Sequence, residues 1–356
     1  MKLLTAKKRK IAIIFTGGLG DTLLFVPLLK ELKKKRFHIT CIFYSKDKNH
    51  CLFDPTLFDR AVTVNSKTGL IFFALANVKR FANFYINHLA NGRIIYFAGR
   101  VSSSRITQTT SDPSKNNKTV RDIPVEPDLS DAEQNLRMLY APANARIKSI
   151  QSFYLVNPLL DRSIIDRFVK GNTTHYFVVQ VASGNNNTPF KNWPIQNWLT
   201  LVARVCDEFK NISLLIVGDK FEKGHAISFE QLNRPNCKVL IGETSIPEIF
   251  NLVAFSKGYI GLDSGIMHMA VVLQKKTLTI FGASDEKLYG YSQLDGQDHE
   301  VITLPIYCRP CSAWKNPNTS RVTDPMQCPD FACVRDINVD DVYDKLVAHF
   351  DLGGKR

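Results

Sequence analysis

No apolar run in the 356-residue chain approaches the ~20 residues that a membrane-spanning helix needs. The amino terminus, MKLLTAKKRKIAIIF, is basic and then apolar, but its apolar part is short and meets Gly17-Gly18 with no small-residue cleavage site. It reads as a basic arm followed by a first strand rather than a signal peptide, so a cytoplasmic protein is expected. A dinucleotide fingerprint is also missing. G-x-G-x-x-G begun at Gly18 and Gly20 would require glycine at 23, where Leu23 stands, and this disfavours a dehydrogenase. Basic and aromatic residues are not interleaved in the manner of an RNA-binding surface, and the Lys7–Lys10 and Lys33–Arg36 clusters are short. Acidic residues are in deficit, 33 Asp and Glu against 46 Lys and Arg, for a net charge of +13. Such a balance attracts anions: nucleic acid, acidic phospholipid or a phosphorylated substrate. The plain alternative is a soluble surface that is merely basic.

What is present is a full complement of core residues, 44% hydrophobic, on a chain long enough for two ordinary domains. The stretch from Lys257 to Ser284, KGYIGLDSGIMHMAVVLQKKTLTIFGAS, reads as strand (Gly258–Gly261), turn (Asp263-Ser264-Gly265), helix (Ile266–Leu273) and strand (Thr277–Phe281). The turn sets Ser264 and the backbone N–H groups after Gly265 at a helix start, where unpaired donors and the positive end of the macrodipole favour an anion. Asp263 is at odds with a phosphate unless it grips neutral hydroxyls such as those of a sugar. Together they suggest a loop for a phosphorylated sugar.

Elsewhere the chain alternates strands and helices. Ile11–Thr16 is an unbroken apolar run of the kind buried on both faces of a parallel sheet. It turns through Gly17, Gly18 and Gly20 into a helix, with Asp21 at the helix start as either a functional carboxylate or an N-terminal cap. Strands follow at Ile39–Tyr44 and near Ala61–Val64, then a helix over about Leu70–His88 and a strand at Arg93–Phe97. From Arg100 to Asp131 the composition is Ser, Thr, Asn, Pro and mixed charge, which suggests a long functional loop. After a connection between Ala141 and Gly171 the pattern recurs without a detectable sequence repeat. It runs through strand Tyr176–Val181, polar loop Ser183–Asn192, helix Pro194–Phe209 and strand Ile212–Val217, and closes on helix Val339–Phe350. An α/β fold of two Rossmann-like doubly wound domains facing across a cleft is expected, with ligands at the C-terminal strand ends. The expected division is residues 1–155, residues 172–335 with a Cys-rich loop at 305–335, and a terminal helix in 336–356.

Cys41, Cys51, Cys206 and Cys237 are scattered and read as plain thiols, whereas Cys308-x2-Cys311 and Cys328-x4-Cys333 are clustered. Sixteen residues separate the two pairs, close to the spacing of a tetra-thiolate metal site, in a segment rich in proline. In a reducing compartment a metal is favoured over disulfides, zinc or iron in an S4 site being the choices and four unligated thiols the plain alternative. Lying outside the other motifs, such a metal would be structural.

Three segments in order carry a family likeness. GGLGDTLLFVPLLKEL resembles the N-terminal signature of the bacterial heptosyltransferases, the lipopolysaccharide-core glycosyltransferases of family 9. ASGNNNTPFKNWPIQNW is similar to that family's loop ending in K-x-W-P, and DSGIMHMAVVLQKKTLTIFGAS to its C-terminal D-[ST]-G-x-x-H signature. The resemblance implies a GT-B arrangement and an inverting, metal-independent transfer. By position it implies Asp21 as general base beside Gly18 and Gly20, with Lys191, Ser264 and Gly265 stabilising the diphosphate and Asp263 holding sugar hydroxyls. His268 would touch the phosphates or orient the turn. Ser183 matches a small hydroxyl residue near the phosphates, although Gly184–Asn187 depart from the usual loop content. Glu222 stands where a ribose-binding acid is expected, an ordinary solvated helix residue being the alternative. A branch of the family that glycosylates autotransporter proteins carries an iron-binding finger in the region of Cys308–Cys333.

The expected activity is therefore transfer of a heptose from ADP-heptose to a lipopolysaccharide inner-core acceptor, by a cytoplasmic enzyme at the inner face of the inner membrane. Arg100, Arg105 and Lys115–Lys118 are candidate acceptor contacts. A protein acceptor or another nucleotide-sugar donor is the alternative. A nucleic-acid-binding module would explain the charge and the cysteines but not acidic residues at two glycine turns.

Overall fold

Residues Ile11–Phe15 of the first strand, β1 (Lys10–Phe15), are all buried, as its unbroken apolar sequence requires. The computed structural model describes residues 10–15, 18–43, 54–78, 80–86, 102–110, 120–124, 126, 128–169, 175–182, 188–296, 298–311 and 325–353. The chain divides into two units, Met1–Leu159 and Leu160–Arg356. In the first, β1 is joined by β2 (His38–Phe43), β3 (Arg60–Thr63), β4 (Phe81–Ile86), β5 (Ser102–Thr110) and β6 (Val120–Pro124). They form one parallel sheet in the order β3-β2-β1-β4-β5-β6. This is the doubly wound order, whose reversal point between β1 and β4 is where ligands bind in open α/β sheets.

Two sequence expectations are corrected here. The helix expected over 70–88 is shorter, Lys67–Ala76, and ends at Asn77, whose side-chain amide donates to the Phe73 carbonyl (2.8 Å). The following FANFYI is strand β4; its aromatic and branched residues suit a pleated surface beside β1 better than a helix. The stretch 100–131, expected as a loop, contains β5 and β6. Their Thr, Ile and Val residues favour a strand, and a polar composition is tolerated towards the edge of a sheet. The strand expected at 93–97 lies outside the described residues.

The end of the first unit is tied back by Asp54. Its buried carboxylate accepts the N–H groups of Thr56 (2.8 Å), Val156 (3.2 Å) and Asn157 (2.8 Å). Burial alone would raise this acid; the hydrogen bonds outweigh it and hold it below the ordinary range.

The second unit repeats the plan with β7 (Tyr176–Gln180), β8 (Ser213–Gly218), β9 (Cys237–Ile241), β10 (Gly258–Leu262), β11 (Lys276–Ile280) and β12 (His299–Ile302). All pair in parallel in the order β12-β11-β10-β7-β8-β9, so the strand order reverses between β7 and β10. The amphipathic helix Ile195–Glu208 buries Trp198, Leu201, Val202, Val205 and Cys206 on the sheet. The terminal helix Val339–His349 packs on it: Arg204 donates to Asp340 (2.7 Å) and lies over the Tyr343 ring (3.5 Å), whose hydroxyl donates to Glu208.

Candidate functional site

At the reversal point of the second sheet, β10 ends in Asp263-Ser264 and the helix Gly265–Val272 begins. A side chain at Gly261 would collide with the Tyr259 hydroxyl and approach the Gln180 carbonyl, so glycine there leaves room for the phenol. The Tyr259 hydroxyl accepts the Leu262 N–H (3.0 Å) and lies 3.0 Å from Gln180 Oε1, to which Ser264 Oγ also donates. Gln180, the last residue of β7, donates in turn to the Ala182 carbonyl (2.9 Å). These bonds tie β7 to β10 across the reversal point and fix Ser264 in extended conformation before the helix. The N–H groups of the first turn are thereby aimed outward in a fixed direction, the arrangement that receives an anion.

Beside this helix start stands the turn Pro189–Lys191. The Lys191 ammonium donates to the Asp263 carboxylate at 2.7 Å. Asp263 is buried. Desolvation would raise its carboxyl, and the charges of Lys191 and then His268 overcome that and hold it below the usual range. The turn is held from both sides. Gly282, after β11, admits the Phe190 carbonyl so closely that a Cβ there would overlap it, and the Ala283 N–H donates to that carbonyl (3.3 Å). On the other side Trp193 is buried edge-on against Trp198 (5.1 Å) and donates its indole N–H to the Ile337 carbonyl (3.0 Å).

His268, one turn into the helix and buried, bonds the Tyr291 hydroxyl through Nδ1 (2.6 Å). Tyr291 also lies against the His299 ring, whose centroid is 5.8 Å away. The structure thus brings Lys191, Asp263, Ser264, Gly265 and His268 to one strand end. Three of the side chains that order it, Gln180, Tyr259 and Tyr291, were not anticipated from sequence. Gln180 had a signal: it is a lone polar residue closing the apolar run YFVV.

Glu222 is buried, which departs from the solvated alternative. Its carboxylate accepts the Asp219 N–H (3.1 Å) and packs against Gly218 at the end of β8. Burial pushes its acid upward. Ser183 lies outside the described residues, as do Arg100 and Lys115–Lys118. Arg105 is in β5, in register with Asn83 of β4.

In the first unit, Gly18 stands at the end of β1 in extended conformation and opens the short helix Leu19–Leu23, which contains Gly20. Asp21, in the first turn, accepts the Gly18 N–H at 2.8 Å. The carboxylate is partly exposed, at the reversal point of its own sheet.

Cys308, Cys311, Cys328 and Cys333 all line one cavity of about 20 Å³, together with Phe190, Ala283, Arg309 and Phe331. That is space for about one water-sized body. Burial, and then the neighbouring Cys328, Cys308 and Cys311, push the Cys333 thiol up to about 11. The four are uncrosslinked. Among the described residues no group of three or more His, Cys, Asp or Glu side chains is set at metal-holding geometry. The four thiols thus share one small cavity, with their side chains standing apart from ligation. The loop is pinned by Arg309, which donates to the Gly282 carbonyl (2.7 Å), the Ser284 carbonyl (3.1 Å) and Glu286 (2.8 Å). Contrary to the sequence expectation, the cysteines are not remote from the other motifs: Phe190, which lines their cavity, precedes Lys191.

Comparison with known proteins bears on the family and the fold. The description of glycosyltransferase family 9 (heptosyltransferase) matches residues 135–320, just over half of the chain. Lipopolysaccharide heptosyltransferase 2 of Escherichia coli K12 is 30% identical over 99 residues, 27% of this chain and 28% of that relative, so the match spans little more than a quarter of the relative's length. Among solved structures, E. coli ADP-heptose lps heptosyltransferase II superposes with a TM-score of 0.68 at 16% identity, covering 97% of this chain and 100% of that one. The dodecameric iron-containing heptosyltransferase TibC of enterotoxigenic E. coli, in complex with ADP-D-β-D-heptose, gives a TM-score of 0.60 at 14% identity over 98% of this chain and 78% of that one. At these identities the structural likenesses speak to fold.

Proposed function

This chain belongs to glycosyltransferase family 9, the heptosyltransferases, and on that premise we propose that it transfers a heptose from ADP-heptose to a lipopolysaccharide inner-core acceptor with inversion. The observation that carries the reading is the Lys191–Asp263 pair beside the helix start at Ser264-Gly265. It sets a cation and a row of N–H donors where a leaving diphosphate would gather charge, and a carboxylate where sugar hydroxyls would donate.

In the proposed reaction Asp21 takes the proton of the acceptor hydroxyl, and that oxygen attacks the anomeric carbon on the face opposite the diphosphate. The bond from that carbon to the diphosphate oxygen breaks, and the electron pair leaves with the nucleoside diphosphate. Lys191 and the first-turn N–H groups of Ser264 and Gly265 receive the developing charge, while Asp263 accepts hydrogen bonds from the donor sugar. His268, braced by Tyr291, keeps the turn in place. Glu222 is assigned to the donor ribose and Ser183 to the phosphates by their positions in the family signature. Gly18 and Gly20 leave room for the acceptor beside Asp21. The proposed division of labour puts the acceptor on the first unit and the nucleotide-sugar on the second. Cys308, Cys311, Cys328 and Cys333 would hold one structural zinc or iron, whose contribution is to order the loop behind Phe190. The enzyme is assigned to the cytoplasmic face of the inner membrane, where a growing core acceptor would be presented.

The test is incubation with labelled ADP-heptose and either purified core lipid or a candidate autotransporter protein. Label on the core lipid is the expected outcome. Label on the protein alone transfers the reading to a protein acceptor, an alternative that the four cysteines favour through their resemblance to the finger of the protein-glycosylating branch. Label on neither, with intact donor, contradicts both.

A further inference from the structure

In the first unit, helix Lys67–Ala76 is apolar around its whole girth. Leu70 to Ala76 reads LIFFALA without a polar residue. One side, Leu70, Phe73, Ala74 and Asn77, packs into the domain. The opposite side carries Ile71, Phe72, Leu75 and Val78, which are 57%, 72%, 68% and 54% exposed. Spacings of one, three and three residues set these four along one side of the helix, continuing past its last turn. A helix that is hydrophobic all round is normally buried, and contiguous apolar patches on a surface mark an interface.

The charge along the stretch of sequence that carries this helix is one-sided. From Arg60 to Ser111 the sequence contains seven Lys and Arg (Arg60, Lys67, Lys79, Arg80, Arg93, Arg100 and Arg105) and no Asp or Glu. Among them Arg60 and Arg80 are exposed, on the strand before the helix and just beyond its end. The helix is well capped, Ser66 accepting the Gly69 N–H (3.0 Å), so its exposed face is presented by a formed element.

We infer that this face docks on an anionic phospholipid bilayer, with Phe72 and Leu75 entering the acyl boundary and Arg60 and Arg80 meeting headgroup phosphates. An exposed apolar helix face bordered along the chain by exposed Arg60 and Arg80 matches the two-layered chemistry of such a surface, apolar below and negative at the rim. A protein partner that bound by the same patch would need an apolar centre with an acidic border. The inference names a surface for the membrane placement proposed above but rests on no part of the transfer chemistry, and the binding measurement uses neither donor nor acceptor.

The experiment is flotation of the full chain with vesicles of phosphatidylcholine containing phosphatidylglycerol, against phosphatidylcholine alone. The wild type should float with the anionic vesicles and be released by salt, because headgroup attraction is screened. The double variant Phe72→Ser with Leu75→Ser, altered only at exposed positions, should lose at least tenfold in partition while keeping the wild-type melting temperature. In a second readout Phe72→Trp, read against the wild type, should add tryptophan emission that shifts to the blue on addition of anionic vesicles. Equal flotation of wild type and double variant, or added emission from Phe72→Trp that does not move, overturns the inference. So does a wild type that ignores vesicles but doubles in mass by light scattering where the double variant does not, since the face would then pair two copies of the chain.

Discussion

The Phe190 carbonyl lies against Gly282 so closely that the strand end of β11 tolerates no side chain there. Through this contact the turn carrying Lys191 is seated on the sheet rather than on a loop of its own. Gly282→Ala should therefore displace Phe190 and move the ammonium away from Asp263. The expected effect is roughly 1–3 kcal/mol of stability, as for other forced overpacking, with a loss of about tenfold in nucleotide-sugar affinity. Calorimetric titration of the folded variant checks it; unchanged affinity would show that the turn adjusts freely.

Lys191 and Asp263 form a pair in which one partner is buried and the other mostly so. Removing one charge from such a pair leaves the other desolvated and uncompensated, at a cost of about 3–5 kcal/mol. Lys191→Met should therefore destabilise the fold strongly, and adding Asp263→Asn should recover most of the loss. Urea unfolding of the two single variants and the double variant closes the cycle. Costs that simply add would mean that the charges do not depend on each other.

His299 supplies a pH dependence with a defined sign. Burial first, and the neighbouring His349, lower its ring to about 4 against the opposing pull of Asp298, while the unfolded chain keeps the ordinary value near 6.5. Below about 6.5 the unfolded state takes a proton that the folded state refuses, so stability falls as pH drops to about 4 and this contribution then levels off. Two and a half units correspond to roughly 3 kcal/mol at most. His299→Gln should flatten that window in unfolding curves recorded across it. The Asp263 carboxyl, held low, adds no slope until the pH falls through the acid range below it.

The cysteine cavity predicts a metal content. The chain expressed without a tag should carry about one zinc or iron per molecule by elemental analysis, and Cys308→Ser with Cys333→Ser should lose it. Because Phe190 lines that cavity, chelation should also weaken nucleotide-sugar binding several-fold. A metal-free protein with full affinity would leave the four residues as plain thiols.

Much of the fold was legible because buried parallel strands announce themselves. The apolar runs at Ile11–Phe15, Tyr176–Val179 and Leu214–Val217 are all buried strands. The missed strands, β5 and β6, lie towards one sheet edge, and their Ser, Thr and Asp content copies the composition of a loop. β4 was hidden because an aromatic run following a helix continues an apolar pattern that either structure can satisfy. At the site, the turn Asp263-Ser264-Gly265 and its helix were readable from spacing. That Lys191 meets Asp263 was not, since seventy-two positions separate them and only the sheet order brings β10 beside β7. Gln180 and Tyr259 escaped for the same reason: a buried hydroxyl or amide shows its role only when its partners are in place.

The most direct measurement is turnover by Asp21→Asn with saturating ADP-heptose and core acceptor, taken beside its donor affinity. The variant keeps the shape of the turn at Gly18 and removes only the base. The predicted result is donor affinity within about twofold of wild type and turnover lower by roughly 10²–10⁴, the usual worth of a general base. Turnover close to that of the wild type would contradict the assignment of the acceptor proton to Asp21.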